Sequence, residues 1–197
     1  MIRPALLTGL AVLLAACSVL PTPPPAPEAF RPVVTVTPHA SRFPVLALEL
    51  ATPASLYDGR APMLRGADGS WRRLPDFQFA ASPPELAQLL LADALERSGL
   101  AAAVLTGATA SPRLTLELRA FEAVDAPEDR EVRVAWTLRL RDAVTDQARR
   151  IDARAPVEGR PDDPAAQRRA WQAALQHAID QSLDWLSRTT PSPEARP

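Results

Sequence analysis

Few side chains in this sequence are typed and spaced for chemistry, and the clearest is a thiol. Cys17 closes the run Leu14-Ala15-Ala16-Cys17: an aliphatic residue, two small residues, then cysteine. The small residues let an extended backbone enter a signal-peptidase cleft, and the thiol is the atom that carries a diacylglycerol group. Cys17 is the single cysteine of the chain, so it has no disulfide partner. An unpaired thiol in an oxidising compartment is a liability unless it is modified. The expectation is cleavage before Cys17 and lipidation on it, with palmitate-type acyl chains completing the anchor. The alternative is an ordinary signal peptide with a cysteine at the cleavage point by chance.

The remaining candidates for chemistry are weak. Histidine occurs at His39 and His177, and neither lies in a pattern that makes it a base or a ligand; both read as surface or packing residues. The chain has no G-x-S-x-G elbow, no G-x-G-x-x-G, no G-x-x-x-x-G-K-[ST] and no H-E-x-x-H. The carboxylate pairs Asp162-Asp163 and Glu128-Asp129 lack further oxygen ligands at cation-binding spacing, and read as solvation and helix capping. Arg133, Arg139 and Arg141 form a basic strip on one face of a strand. It fits anionic headgroups or an acidic partner, or else a solvated face with cross-strand ion pairs, for which Glu117 is available. The expectation is a non-enzyme with no catalytic residue, no cofactor and no metal.

The flanks of the cysteine organise the chain. Arg3 supplies a short positive region, and residues 4–14 (PALLTGLAVLL) an uncharged apolar stretch. Eleven residues are too few to span a hydrocarbon core, which takes about 20. Residues 1–16 therefore read as a lipoprotein signal peptide. Residues 17–32 read as a lipidated stalk, with six prolines among residues 21–32. Proline fixes φ and lacks an amide donor, so residues 21–32 favour polyproline II and reach roughly 35 Å at about 3.1 Å per residue. Residues 33–188 read as one domain, and residues 189–197 as a disordered polar tail. Removing the leader leaves 181 residues, enough to bury a real core. The charges are 22 basic against 23 acidic, which is no polyelectrolyte. Every basic residue is arginine, but Arg, Ala and Pro are abundant together, which reads as coding bias; no nucleic-acid partner is expected.

Within the domain the pattern alternates between strand and helix periods. Residues 45–50 (VLALEL) read as a buried strand. Residues 61–64 and 69–74 flank Gly66-Ala67-Asp68-Gly69 and predict a hairpin, and Phe77 and Phe79 bracket Gln78 in strand-like alternation. Ser82, Pro83, Pro84 and Glu85 open a helix whose apolar face is read as Leu86, Leu89, Leu90, Ala94 and Ser98, with Gly99 ending it. Leu114, Leu116 and Leu118 alternate, as do Val132, Val134, Trp136, Leu138 and Leu140, which predicts antiparallel strands with one dry face. A third strand is expected over residues 149–155. A second helix is expected over residues 164–187 with Asp163 as its cap, facing inward through Trp171, Ala174, Leu175, Ala178, Ser182, Trp185 and Leu186. The expected fold class is α+β: two layers, a mostly antiparallel sheet with two amphipathic helices packed on one face.

The order of these features resembles the ABC-type transport auxiliary lipoprotein family, the PqiC-like lipoproteins. The likeness rests on VLALEL, Tyr57-Asp58, the hairpin APMLRGADGSWRRLPD, the helix segment FAASPPELAQLLLADALERSG, LTLELRAFEAV and VRVAWTLRLRD. It covers about 145 residues through several weak motifs. Two features depart from the family: Phe79 stands where members often carry Trp, and the first mature strand is PVVTV where they tend to have aromatic residues. The resemblance implies a non-catalytic accessory of an ABC/MCE-type lipid transport system. Such a protein is anchored on the periplasmic face of the outer membrane through Cys17, a placement favoured by Ser18 in place of Asp. It docks the periplasmic MCE-domain protein, and the resemblance leaves room for a homo-oligomer. The alternatives from other classes are a periplasmic lipid carrier or chaperone that itself holds lipid, and an outer-membrane assembly lipoprotein.

Overall fold

The structure, a computed structural model, describes residues 29–51, 57–74, 77–107, 112–126, 128–160 and 163–189. Cys17, the expected signal peptide over residues 1–16, residues 17–28 of the expected stalk, Asp162 and the expected tail beyond Thr189 lie outside these residues.

Three long strands form the frame: β7 (Arg113–Ala126), β8 (Asp129–Arg141) and β9 (Asp146–Pro156). β7 and β8 pair antiparallel over thirteen positions, and β8 and β9 over eleven. The alternation of β8 is obeyed throughout, with Val132, Val134, Trp136, Leu138 and Leu140 all fully buried. β9 starts earlier than its apolar residues predict. Residues 146–150 are exposed and are held by the ladder to β8, a long-range pairing with no local signal.

The other edge of β7 carries two short strands end to end. β2 (Leu46–Leu50) runs parallel to its first half, and β3 (Met63–Gly66) parallel to its second. A 14-residue strand extends about 46 Å at roughly 3.3 Å per residue, which leaves room for both. β3 and β4 (Trp71–Arg73) make the expected hairpin, turning at Gly69, whose φ of 79° belongs to the left-handed region that glycine tolerates. β6 (Val104–Thr106), which the sequence pattern does not announce, adds parallel to β2. The sheet is thus antiparallel along its long ladders and in the β3–β4 hairpin, and parallel where β2, β3 and β6 add on.

A bulge between Leu118 and Ala120 modifies the one-sided reading of β7. Beyond it Ala120, Glu122 and Val124 are buried as well as Phe121 and Ala123, so this half is covered on both faces. Tyr57 sits against that end, hydrogen-bonded to the Phe121 main chain.

Helix α1 (Pro83–Arg97) packs on β2, β6 and β7, and α2 (Pro164–Arg188) on β8 and β9; the helices also touch each other. The Glu85 carboxylate accepts from Ser82 N–H at 3.1 Å and Ser82 Oγ at 2.8 Å, and Asp163 accepts from Ala165 N–H at 2.9 Å, so both helices begin where predicted. The buried face of α1 is corrected, however. It runs through Leu86, Ala87, Leu90, Leu91, Ala94 and Leu95, while Leu89 is 59% exposed. Four consecutive apolar positions, Leu89 to Ala92, allow two adjacent stripes, and packing on the sheet selects the one holding Leu91 and Leu95.

A two-stranded parallel ribbon, β1 (Ala29–Phe30) with β5 (Gln78–Phe79), closes one end of the core. Ala29 and Phe30 fall in the stretch expected to be stalk. Phe30 explains the difference: it meets Phe77 at 5.6 Å and Phe79 at 6.1 Å between ring centroids, so the one aromatic of that stretch docks on the domain.

Candidate functional site: the furrow between the helices

Residues 31–37 lie in the furrow between α1 and α2 as a strap. The sequence RPVVTVT is suited to an extended path, because three valines and two threonines disfavour the helix and Pro32 fixes φ. Alternation is strand-like: Pro32 and Val34 are buried, whereas Arg31, Val33, Thr35 and Thr37 are exposed. Yet the strap joins no sheet. Its main chain is held by side chains of the helices.

Two glutamines of α2 do most of this. Gln172 accepts from Val33 N–H at 3.0 Å and donates to Val33 C=O at 2.7 Å. Gln176 repeats the pattern on Thr35, at 2.8 Å in both directions. Four residues of helix rise about 6 Å, and two residues of extended chain about 6.6 Å, so glutamines at i and i+4 match main-chain groups at i and i+2. Asp180 accepts from Gln176 Nε2 at 2.9 Å, which fixes the orientation of that carboxamide. From the opposite wall Arg97 donates to Val34 C=O at 3.1 Å and to Asp93 at 2.8 Å. At the strap's end, His39 N–H donates to Ser98 C=O at 2.7 Å. Gly99 stands 3.3 Å from the His39 oxygen where a Cβ would be, at φ 77°, so glycine serves both the helix end and the close approach.

The strap divides the furrow into two open grooves. The one toward α1, about 750 Å³, is walled by Leu86, Leu89 and Leu90 together with Pro32, Val33 and Ala81. Val33 and Leu89 are among the most exposed large apolar side chains of the described residues, and both face it. The other groove, about 520 Å³, lies toward α2 and is lined by Val36, His39, Asp180 and Leu183 among others.

The basic strip has a different character. Arg133 donates to Asp152 from Nε and Nη2 at 3.2 and 2.7 Å, and Arg139 donates to Asp146 at 2.7 and 2.5 Å, with Arg141 on the same carboxylate at 3.2 Å. These partners come from β9, while Glu117 takes Arg119 instead. The hydrogen bonds from Arg133 and Arg139 hold the Asp152 and Asp146 carboxyls below the usual carboxylate range and raise the arginines in turn. The strip is therefore a solvated face knitted by cross-strand ion pairs.

The remaining candidates are scattered. His39 is half-buried at the strap's end and His177 is exposed on α2. Asp163 caps α2, and Glu128 is exposed in the β7–β8 turn. Among the described residues no three His, Cys, Asp or Glu side chains gather where they could hold a metal. Among the same residues no helix is long and apolar enough to cross a membrane. Tyr57 is buried, which pushes its phenol up, and it lies near the Arg65–Glu122 ion pair of 3.4 Å. The carboxamide clamp was invisible to motif reasoning. Its signal is a β-branched alternation beside a proline, paired with two glutamines one helical turn apart and some 140 residues away.

No family model and no curated protein matches this chain. Solved structures do. A Xanthomonas campestris protein of the DUF330 family superposes with a TM-score of 0.69 at 22% identity, over 81% of this chain and 95% of that one. An uncharacterized protein superposes with a TM-score of 0.57 at 13% identity, over 76% of this chain and 97% of that one. A candidate lipoprotein of Caulobacter crescentus aligns over 53% of this chain and 80% of that one at 22% identity; its TM-score of 0.37 is too low to indicate a common fold. The first two likenesses show that the fold is shared.

Proposed function

We propose that this chain is a non-catalytic, lipid-anchored accessory of an ABC/MCE-type lipid transport system, held at the periplasmic face of the outer membrane through Cys17. In this reading it docks the periplasmic MCE-domain component. The DUF330 fold likeness is consistent with the PqiC-like family that the sequence resembles, and the lipobox supports the anchor.

The observation that carries the adaptor reading is the route of the chain. The segment leading back toward Cys17 runs along the furrow between the two helices before it enters the sheet. The tether is thereby fastened to the helical layer, next to an apolar groove that Leu89 and Val33 leave open. A tethered domain meets its partner at raised effective concentration, so a modest docking surface suffices.

The open groove also gives substance to a second reading, a lipid carrier, since about 750 Å³ lies within the range of small-molecule sites. Crosslinking in intact cells, followed by pull-down on a C-terminal tag, separates the two. Recovery of an MCE-domain protein with its permease and ATPase supports the accessory. Recovery of bound lipid alone supports the carrier, and recovery of a β-barrel protein an assembly factor.

A further inference from the structure

We propose that the furrow between α1 and α2 is a receptor for an extended polypeptide segment, that residues 31–37 occupy it in cis, and that a partner's segment takes their place. This deepens the adaptor reading and rests on it for its biological sense.

The polar lining of the furrow is arranged to read a main chain. Gln172 and Gln176 each present one acceptor and one donor to a residue of the strap, at a repeat that fits extended chain and little else. Arg97 takes the intervening carbonyl from the other wall. Alternate main-chain groups of residues 33–35 are thus bound from both sides, much as a sheet edge binds an added strand. An acyl chain has no groups to match these donors and acceptors, so the lining favours peptide over lipid.

The strap is held in the furrow by few contacts: Pro32 and Val34 are buried, Val36 packs against the core, and the rest are polar. Its hydrogen bonds to the glutamines are exposed to water, which competes for them. Between Val33 and Thr37, only Val34 is buried, at 1% exposure, while Val33 stays 70% exposed. Neither contact depends on a charged or bulky side chain of the strap. The main-chain clamp is therefore sequence-tolerant at the exposed positions, and specificity falls on the buried Pro32, on Val36 packed against the core, on the Thr35 hydroxyl that donates to Gln176 at 3.2 Å and, above all, on a small β-branched residue at the Val34 position. The partner segment we infer is extended, uncharged at that position and flanked by small or β-branched residues. The open grooves on either side of the strap give such a segment a path of approach.

The test uses the lipidated full-length protein in nanodiscs, with a fluorescent nonapeptide of the sequence of residues 31–39 as probe. V34D places a charge in the buried position and frees the strap from the furrow. The proposal expects V34D, folded by circular dichroism, to bind the peptide at least tenfold more tightly than the unmutated chain, whose own strap competes. Adding Q172A and Q176A to V34D is expected to reverse that gain by at least tenfold. Folded V34D with no gain in affinity, or a gain indifferent to the two glutamines, overturns the proposal. So does native mass spectrometry that finds V34D loaded with lipid and unresponsive to peptide, an outcome that assigns the furrow to acyl chains. Should V34D not fold, hydrogen exchange of the unmutated protein decides. The amides of Val33 and Thr35 are expected to exchange at least a hundredfold faster than those of β7 and β8; exchange only together with that core makes the strap a fixed element and ends the proposal. None of these measurements involves a transporter, so their failure is distinct from failure of the transport reading.

Discussion

Trp136 Nε1 donates a 3.1 Å hydrogen bond to Ser182 Oγ, and Ser182 in turn donates to the Ala178 carbonyl at 2.7 Å, so the central strand is joined to α2 by a relay buried from end to end. Both partners were legible as inward-facing residues of their elements. Their meeting was not, since no local pattern links positions 46 residues apart. Trp136→Ala is expected to cost about 3–5 kcal/mol by emptying one of the two largest side chains of the core. Ser182→Ala, which orphans the buried indole N–H, is expected to cost about 1–3 kcal/mol. Urea denaturation of both variants and of the double variant checks this: the losses should fall short of additive, because the pair is in contact.

The Arg133–Asp152 pair predicts a pH dependence. Asp152 has its folded pKa lowered, chiefly by the hydrogen bond from Arg133, so its contribution is present above the unfolded carboxyl value, about 4, and is lost as pH falls through the lower folded value. Both side chains are partly solvated, which discounts the pair to about 1 kcal/mol. Asp152→Asn should therefore lower the denaturation midpoint at neutral pH and converge on the unmutated protein in acid, once the pH has fallen below the lowered folded value. A gap that persists unchanged in acid removes the ion pair as its cause.

The corrected face of α1 can be read by two leucines. Leu89→Ser is expected to change stability by no more than about 0.5 kcal/mol, whereas Leu91→Ala should cost about 2–5 kcal/mol. Equal losses at the two positions contradict the packing described.

Much of the fold was open to sequence reasoning because its elements carry local signatures. Ser82-Pro83-Pro84-Glu85 is a helix start by chemistry alone, and the five alternating apolar residues of β8 admit one face assignment. Where the reading failed, a long-range partner decided. Residues 146–150 are strand because β8 is beside them, Phe30 leaves the stalk because Phe77 and Phe79 wait for it, and Leu89 is turned outward because the sheet takes Leu91. The furrow was hidden for the same reason. Gln172 and Gln176 look like ordinary solvated helix positions until an extended segment from the other end of the chain is laid against them.

Cys17→Ala is expected to leave the domain folded and to release it from membranes into the soluble periplasmic fraction. Sedimentation of the variant with membranes after a salt wash contradicts a lipid anchor on that residue.

The most direct measurement of the adaptor reading is in-cell photo-crosslinking from Leu89, beside the strap, with Val144 at the exposed β8–β9 turn as the control position. A photoreactive residue at Leu89 is expected to capture an MCE-domain protein, and one at Val144 is not. Capture of a β-barrel protein at Leu89, or of lipid alone, contradicts the adaptor reading.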